Sequence, residues 1–585
     1  MKKVYLIVAL LLGVFFLQTF TAMLRENDTF DESLHLTSGY SYWKTGEFRL
    51  NTLDHPPFAE MLAAFPLLFL GLDFPKEHPA LWAKQRYRLS DQFVYRNVLP
   101  AQTLLFWSRL PIVLLALALG FFIFFWSASL WGNKGGIFSL FLFAFFPELL
   151  AHAHYVTTDL AATALAFLTI LAFRYYQNRP DKKTIFLAGL LLGLALASKF
   201  TTVLLLPILL FFTFYPKKNK IYLSHVLIFL FTAVFFLALA YGFKDFGYYF
   251  AGVKRLLPGG DIFGGRSAFL FGQNSTSGWW YYFPLAFLIK TPLPLLILIG
   301  VKLFSFFSRN ARLKPCPTKN TEKNISDKDK DKEVFLIVPI LVFFVAACFS
   351  TVNIGIRHLM PIFPFLLVWV GSLGSKLQIP PVRSGCAERS RPFPTLTILL
   401  VFLLGWYGWA TIRIWPHYLA YFNELVGGPK NGYKYLVDSN LDWGQDLINL
   451  KKYLAEHKIE EIYLSYFGNS DPACYGINYR GIGFYTMMKR LGKAEKLPAL
   501  EKQIFVLSAT NLQGVYFHDK NVFQWLKKYP LLTQIGYSLF VYDLTNQVEA
   551  HQQLEKLFQQ TGEAGYSQRE RQFWEKLLKD EKNIN

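Results

Sequence analysis

Apolar runs of membrane-crossing length recur along most of this 585-residue chain. A helix needs about 20 mainly apolar residues to cross a ~30 Å hydrocarbon core. On that measure the pattern predicts about eleven spans, at roughly 4–24, 103–130, 136–151, 158–175, 184–198, 200–215, 222–243, 281–306, 334–350, 357–374 and 396–414. The breaks inside 184–215 and 334–374 are short. The loops between spans differ in charge. Gly132–Gly135, Gln177–Lys183, Tyr215–Lys220, Ser308–Glu333 and Gly374–Pro394 carry Lys134, Arg179, Lys182, Lys183, Lys217, Lys218, Lys220, Arg312, Lys314, Lys376, Arg383 and Arg389, whereas Ala151–Thr157 and Thr351–Ile356 contain neither Lys nor Arg. Cytoplasmic loops collect these cations, so the N-terminus is expected inside. An odd number of spans then puts the C-terminus outside, in a multi-pass plasma-membrane protein. Val4–Met23 is longer than a usual signal-peptide core, and no small-x-small site precedes Arg25, so the first span reads as a retained helix.

Three polar segments fall on the outer side. Arg25 to about Gln102 is too long for a simple connection. Lys244 to about Trp280 is rich in Gly and aromatics. After Ile414 the apolar runs shrink to strand length and charge rises. Glu461–Phe467, Ile504–Ser508 and Ser538–Tyr542 read as strands, rich in β-branched and aromatic residues. Asp442–His457 reads as a helix with Leu447, Leu450 and Leu454 on one stripe, and a charged helix is expected near 547–580. The fold class is therefore a multi-spanning α-helical membrane protein, 1–415, with a small α/β extracytoplasmic domain, 416–585. The inside loop Lys314–Glu333 reads as a disordered linker, polar and of mixed charge.

Composition sharpens this picture. Only 17% of the residues are charged, against roughly a quarter in soluble proteins. The net charge of +20 follows from the loop cations and does not call for nucleic acid as a partner. The four cysteines, Cys316, Cys348, Cys386 and Cys474, fit no zinc spacing, and only Cys474 is expected outside, which argues against a disulfide framework.

Chemistry concentrates at the outer ends of spans. Thr29-Phe30-Asp31-Glu32 fits a capping box for a helix running to about Thr45 and stopping at Gly46. Glu32 then has two readings, cap or reactive acid. Asp31 falls in the first turn and His35 one turn further on the same face. An acid at a helix N-terminus stays ionised at neutral pH, which suits it to accept a hydroxyl proton rather than to donate one. Asp54-His55-Pro56-Pro57 opens a second short helix, whose Phe58, Met61, Leu62 and Phe65 recur at interfacial spacing. Asp54 reads as an N-cap or a site residue, and His55 as a phosphate or ligand contact. His152, His154, Thr157, Thr158 and Asp159 form a third patch at the start of a span, where an acid is a functional candidate or a first-turn partner of a cap. His152 and His154 also leave a metal site open, although two residues apart they do not share a helix face. Lys199 and the Arg357-His358 pair sit at expected headgroup depth. They suit a lipid phosphate, or simply snorkel to ordinary headgroups.

The Asp31-Glu32 pair after the first span, His55-Pro56-Pro57 and Thr158-Asp159, each at an outer face, resemble the C-type glycosyltransferases. The nearer likeness is to the protein O-mannosyltransferase and lipid A aminoarabinose transferase group, the family 39-like enzymes. Asn353-Ile-Gly-Ile-Arg-His-Leu-Met-Pro-Ile-Phe-Pro364, Tyr421-Phe-Asn-Glu-Leu-Val-Gly-Gly-Pro429 and Asp438-Ser-Asn-Leu-Asp-Trp-Gly-Gln-Asp446 look like a prokaryotic branch. The resemblance implies a polyprenyl-phosphate-linked sugar as donor, Asp31 as catalytic aspartate, Asp159 as the second acidic motif, and His55 facing the donor phosphate. The tail does not look like the β-trefoil domain of eukaryotic O-mannosyltransferases, so the hydroxyl-bearing acceptor stays open between protein and glycolipid. No Walker-type phosphate loop is present, as expected for a lipid-linked donor. The acidic clusters leave a divalent cation open as a cofactor without supplying a full ligand set. A transporter or lipid flippase is the alternative. It predicts mid-membrane polar residues and often an inverted repeat; no repeat is found, and the acids cluster at the outer surface rather than mid-span.

Overall fold

The computed structural model describes residues 2–75, 85–215, 222–256, 266–311, 320–376, 395–482 and 502–584. Lys2–Met23, Ala101–Ala144, Thr158–Asn178, Leu223–Ala240 and Thr397–Ile414 are long and apolar enough to cross a membrane. Tyr282–Lys290 and Leu293–Ser308 add a sixth as a broken pair bent by 113°. This count, taken among the described residues, is lower than the expected eleven. Ala101–Ala144 is a single 44-residue element by hydrogen bonding, and other expected spans are short: Lys182–Leu196 has 15 residues, Leu205–Phe214 has 10 and Ile362–Gly371 has 10.

The long element is a hairpin. Gly132 sits at φ 76° and ψ 172°, outside helical space. Ser127 Oγ lies 2.8 Å from Ser139 Oγ, although twelve residues of straight helix would separate them by about 18 Å. The chain therefore reverses at Gly132, where only a residue without Cβ takes this backbone freely. The break in the bent pair also has a local cause. Pro292 has no N–H to donate, so the helix ends before it. Asn423, from the start of the tail, donates to the freed carbonyls of Leu288 at 2.6 Å and Thr291 at 2.8 Å.

The polar segment after the first helix folds as expected at its start. A helix runs Glu32–Thr45, and Gly46 in left-handed conformation (φ 64°) donates its N–H to the Tyr42 carbonyl. Only half of the capping box forms. Thr29 N–H donates to Glu32 Oε2 at 2.8 Å, but the buried Thr29 hydroxyl makes no hydrogen bond among the described residues. Asp54 does not cap the next helix, Phe58–Ala64, whose N-cap is Pro57. Gly39 lets these two helices touch, because a Cβ there would land on the Glu60 carbonyl.

In the tail, strands Glu461–Ser465, Ile504–Ser508 and Leu539–Asp543 and the helix Leu447–Glu456 stand where the pattern puts them. They join Asn478–Gly481 and Leu531–Ile535 in a five-stranded mixed sheet. The order is Asn478–Gly481, Glu461–Ser465, Ile504–Ser508, Leu539–Asp543, Leu531–Ile535, with the first three parallel and the last two added antiparallel. Leu447, Leu450 and Leu454 bury their stripe against Ile462, Leu464, Val506 and Val541. The expected C-terminal helix is two, Val548–Gln560 and Ala564–Ile584, broken at Gly562 (φ 78°). From Asn320 the expected linker is already part of a helix, Asn320–Cys348. Residues 314–319, and with them Lys314, Lys217, Lys218, Lys220, Arg312, Arg383, Arg389, Cys316 and Cys386, lie outside the described residues.

Candidate active site

Glu32 is the most committed of the candidate acids. Arg109 donates to it twice, Nε to Oε1 at 2.9 Å and Nη2 to Oε2 at 2.7 Å. Val156 N–H reaches Oε1 at 2.9 Å. Burial alone would raise its pKa, but the Arg109 charge and these donors outweigh burial and hold it below the usual carboxylate range. Arg109 also donates to the carbonyls of Met23, Glu26 and Asn27. Glu32 thus pins the loop before its helix to the hairpin and leaves no oxygen facing an opening.

Asp31 differs. It stands at the N-cap, yet its side chain caps nothing. It is 29% exposed and meets Arg357 Nη2 at 3.3 Å. The other terminal nitrogen of Arg357 reaches Asp159 Oδ2 at 3.3 Å. Lys199 Nζ lies 2.5 Å from Asp159 Oδ1. Arg357 therefore links the two acids, and Asp159 sits buried between two cations. Lys199 is 12% exposed, with its head turned to a carboxylate rather than to open solvent.

The imidazoles line the same place. His55 stacks edge-on to His35 with ring centroids 4.8 Å apart. Burial first, and then the charges of His35, Lys199 and Arg357, push its pKa well below the ordinary value. It is neutral at neutral pH and able to donate one hydrogen bond. Burial works against a charged His35, but Glu60 Oε1 at 2.7 Å outweighs it and raises the pKa. Asn51 Nδ2 donates to the same Glu60 oxygen at 2.6 Å. His35 is thus held by Glu60 beneath the site and supports His55 by ring contact. His358 has a buried Nε2 without a hydrogen-bond partner among the described residues, in the electrostatic surroundings of Lys199, Arg357 and Asp159.

Three expected residues are engaged in other pairs. Asp54 is clamped by Arg86 at 2.5 Å and Arg255 at 2.6 Å, which joins the polar segment after the first helix to the later one that holds Arg255. Burial opposes its charge, but both arginines lower its pKa. His152 and His154 point to different acids, Glu148 at 3.1 Å and Glu26 at 2.8 Å. Among the described residues no group of three His, Cys, Asp or Glu is placed to hold a metal ion.

Sequence reasoning missed Arg109 and Glu60, and it quoted Ser439 and Trp443 only as part of the Asp438–Asp446 motif without a place in the site. A lone arginine inside the apolar run 103–130 is itself a signal, since a charge at membrane depth needs a partner. Glu60 within an apolar helix is a similar one. The motif does not tell that the Ser439 hydroxyl accepts from Arg357 Nε at 3.0 Å, or that the Trp443 ring lies 4.3 Å from the Arg357 guanidinium carbon.

Residues 103–242 match the family model of dolichyl-phosphate-mannose-protein mannosyltransferases. This bears out the resemblance to the C-type glycosyltransferases over a stretch that holds Arg109, Asp159 and Lys199. Asp31, His55 and Arg357 lie outside it. The chain is also similar to two crystal structures of ArnT from Cupriavidus metallidurans. The apo form is 14% identical and the form bound to undecaprenyl phosphate 13% identical. Each has a TM-score of 0.44 and covers 93% of this chain and 98% of that chain. No curated relative matches the chain.

Proposed function

We propose that this chain is a membrane glycosyltransferase that moves a sugar from a polyprenyl-phosphate carrier to an acceptor hydroxyl at the outer face of the membrane. The observation that carries the reading is the two-acid, two-cation cluster in which Arg357 links Asp31 to Asp159 and Lys199 pairs with Asp159. Asp159 is fully occupied by cations, and Glu32 by Arg109. Asp31 is the acid that keeps both an exposed edge and no capping duty.

In this reading the acceptor oxygen attacks the anomeric carbon while its proton passes to Asp31. The bond from that carbon to the phosphate oxygen breaks, and the polyprenyl phosphate leaves with the electron pair. Lys199 and Arg357 meet the charge that grows on the leaving phosphate, and the His55 and His358 imidazoles stand beside it. One base and one direct displacement give inversion at the anomeric carbon. A lipid phosphate as leaving group needs no nucleotide-binding loop. The paired basic groups close to lipid depth suit an anion that arrives from the bilayer. The family match supports the donor class. The undecaprenyl phosphate named for one ArnT structure is the carrier of first choice for a test. The acidic site at the ends of spans, rather than halfway along them, favours surface chemistry over transport. Residues 1–415 then form the transferase domain, with the N-terminus inside, and 416–585 form an extracytoplasmic domain.

The test is transfer from radiolabelled polyprenyl-phosphate sugars by purified full-length protein in lipid, wild type against Asp31→Asn. Label should move to a hydroxyl acceptor with wild type and not with the variant. Equal turnover by both proteins sinks the mechanism. Passage of the lipid across the bilayer without transfer replaces it with the flippase reading.

A further inference from the structure

The motif Asp438-Ser-Asn-Leu-Asp-Trp443 belongs to the tail in sequence but to the membrane-proximal cluster in space. Ser439 accepts from Arg357 Nε at 3.0 Å and donates to the Ile354 carbonyl at 2.8 Å. The Trp443 ring lies under the same guanidinium, 4.3 Å from its central carbon. Asn440 Oδ1 takes the Ile356 N–H at 2.9 Å. On the other side, the Trp443 carbonyl takes the Phe30 N–H at 2.8 Å, one residue before Asp31. One short stretch of the tail therefore holds both the backbone that carries Arg357 and the backbone that carries Asp31.

The stretch is itself tightly set. Asp438 adopts a left-handed backbone (φ 58°). Its Oδ1 accepts the Ser439 N–H at 2.6 Å, and its Oδ2 accepts from the Tyr516 hydroxyl. Gly355 has an extended backbone (φ −179°) that any residue adopts, yet a Cβ there would fall on the Ser439 hydroxyl. The glycine is needed for the space that Ser439 occupies. A guanidinium presents its donors in one rigid plane. With Nε on Ser439 and one face on Trp443, that plane has a single orientation, and its two terminal nitrogens reach Asp31 and Asp159.

We propose that Ser439 and Trp443 are positioning residues of the transferase site. They fix the Arg357 guanidinium so that a donor phosphate meets it already oriented. The proposal rests on the reading of Arg357 as a phosphate-holding group, and the experiment separates the two. Radiolabelled undecaprenyl phosphate is titrated onto the full-length protein in lipid nanodiscs, and melting is followed on the same samples. Arg357→Ala is the reference and should lose binding. Ser439→Ala and Trp443→Leu should each weaken binding by roughly tenfold, the effect expected for losing a charge-assisted hydrogen bond or a desolvated cation–π contact. Trp443→Phe keeps an aromatic face and should recover most of the loss. Gly355→Ala displaces the Ser439 hydroxyl and should behave like Ser439→Ala. If Ser439→Ala and Gly355→Ala bind like wild type while Arg357→Ala does not, the positioning role is overturned and the phosphate reading stands. Equal losses for the Leu and Phe variants at 443 remove the stacking role. Undiminished binding by Arg357→Ala overturns the phosphate reading and the proposal together. Should Trp443→Leu fail to fold, Ser439→Ala and Gly355→Ala decide the question alone.

Discussion

Arg109 grips Glu32 at two points, 2.9 Å and 2.7 Å, with both side chains sealed from solvent. The neighbouring acid, Asp31, meets a single nitrogen of Arg357 at 3.3 Å and keeps an exposed edge. Two adjacent carboxylates thus take different work. The helix turn between them points one into the protein and leaves the other at the opening.

Removing one partner of a buried ion pair strands the other charge, at a cost of about 3–5 kcal/mol. Glu32→Ala should therefore lower the melting temperature in detergent and the folded yield, with Arg109→Ala doing the same. A Glu32→Ala protein that melts like wild type contradicts the structural role.

Asp31→Asn should separate chemistry from binding. A positioned general base contributes about 10²–10⁴ in rate, so transfer should fall by that order. Undecaprenyl phosphate binding should hold or tighten, because a negative charge beside the phosphate is gone. Parallel measurement of kcat and of lipid binding checks this. A loss seen only in binding points to Asp31 as a holder of Arg357 instead of a base.

Asp442 carries a pH dependence in the tail. Burial, more than its hydrogen bonds from Thr510, sets its pKa, which is pushed up to about 7, with Asp438 and Asp446 nearby adding to the rise. The folded pKa is above the unfolded one, so the native state holds the extra proton. Its stability contribution is full below the ordinary carboxylate pKa of about 3.9 and is lost as pH rises through about 7. Asn keeps an acceptor for the Thr510 N–H, which Asp442 takes at 2.8 Å. Asp442→Asn should therefore melt close to wild type at acidic pH and above it at pH 8. Parallel melting curves across that range would remove the idea.

Gly39→Ala tests the helix contact under His35. The added methyl meets the Glu60 carbonyl, and overpacking of this kind costs about 1–3 kcal/mol. A matching drop in melting is expected, together with weaker lipid binding as the Glu60–His35–His55 stack shifts.

The chain alone determined what short-range physics controls. Apolar runs marked the helices, including both arms of the Gly132 hairpin, because the cost of exposing backbone in lipid acts on each segment separately. Gly46 ended its helix as expected, and the strands 461–465, 504–508 and 539–543 were legible from side-chain type. The polar patches at Asp31, His55 and Asp159 stood out because ionisable groups near lipid are costly without a task. The division of labour among those patches was decided only by tertiary packing. The same residue types account for Glu32 as an anchor and Asp31 as the open acid. They account equally for Asp54 as a clamp between Arg86 and Arg255 and Asp159 as the partner of Lys199 and Arg357. What separates the members of each pair is which cation arrives, from 77 residues away for Arg109 or 198 for Arg357. Ser439 and Trp443 were visible only as members of the Asp438–Asp446 motif and their role was not, since an oriented hydrogen bond and a stacked ring exist only once the tail has docked against the loop that holds Asp31.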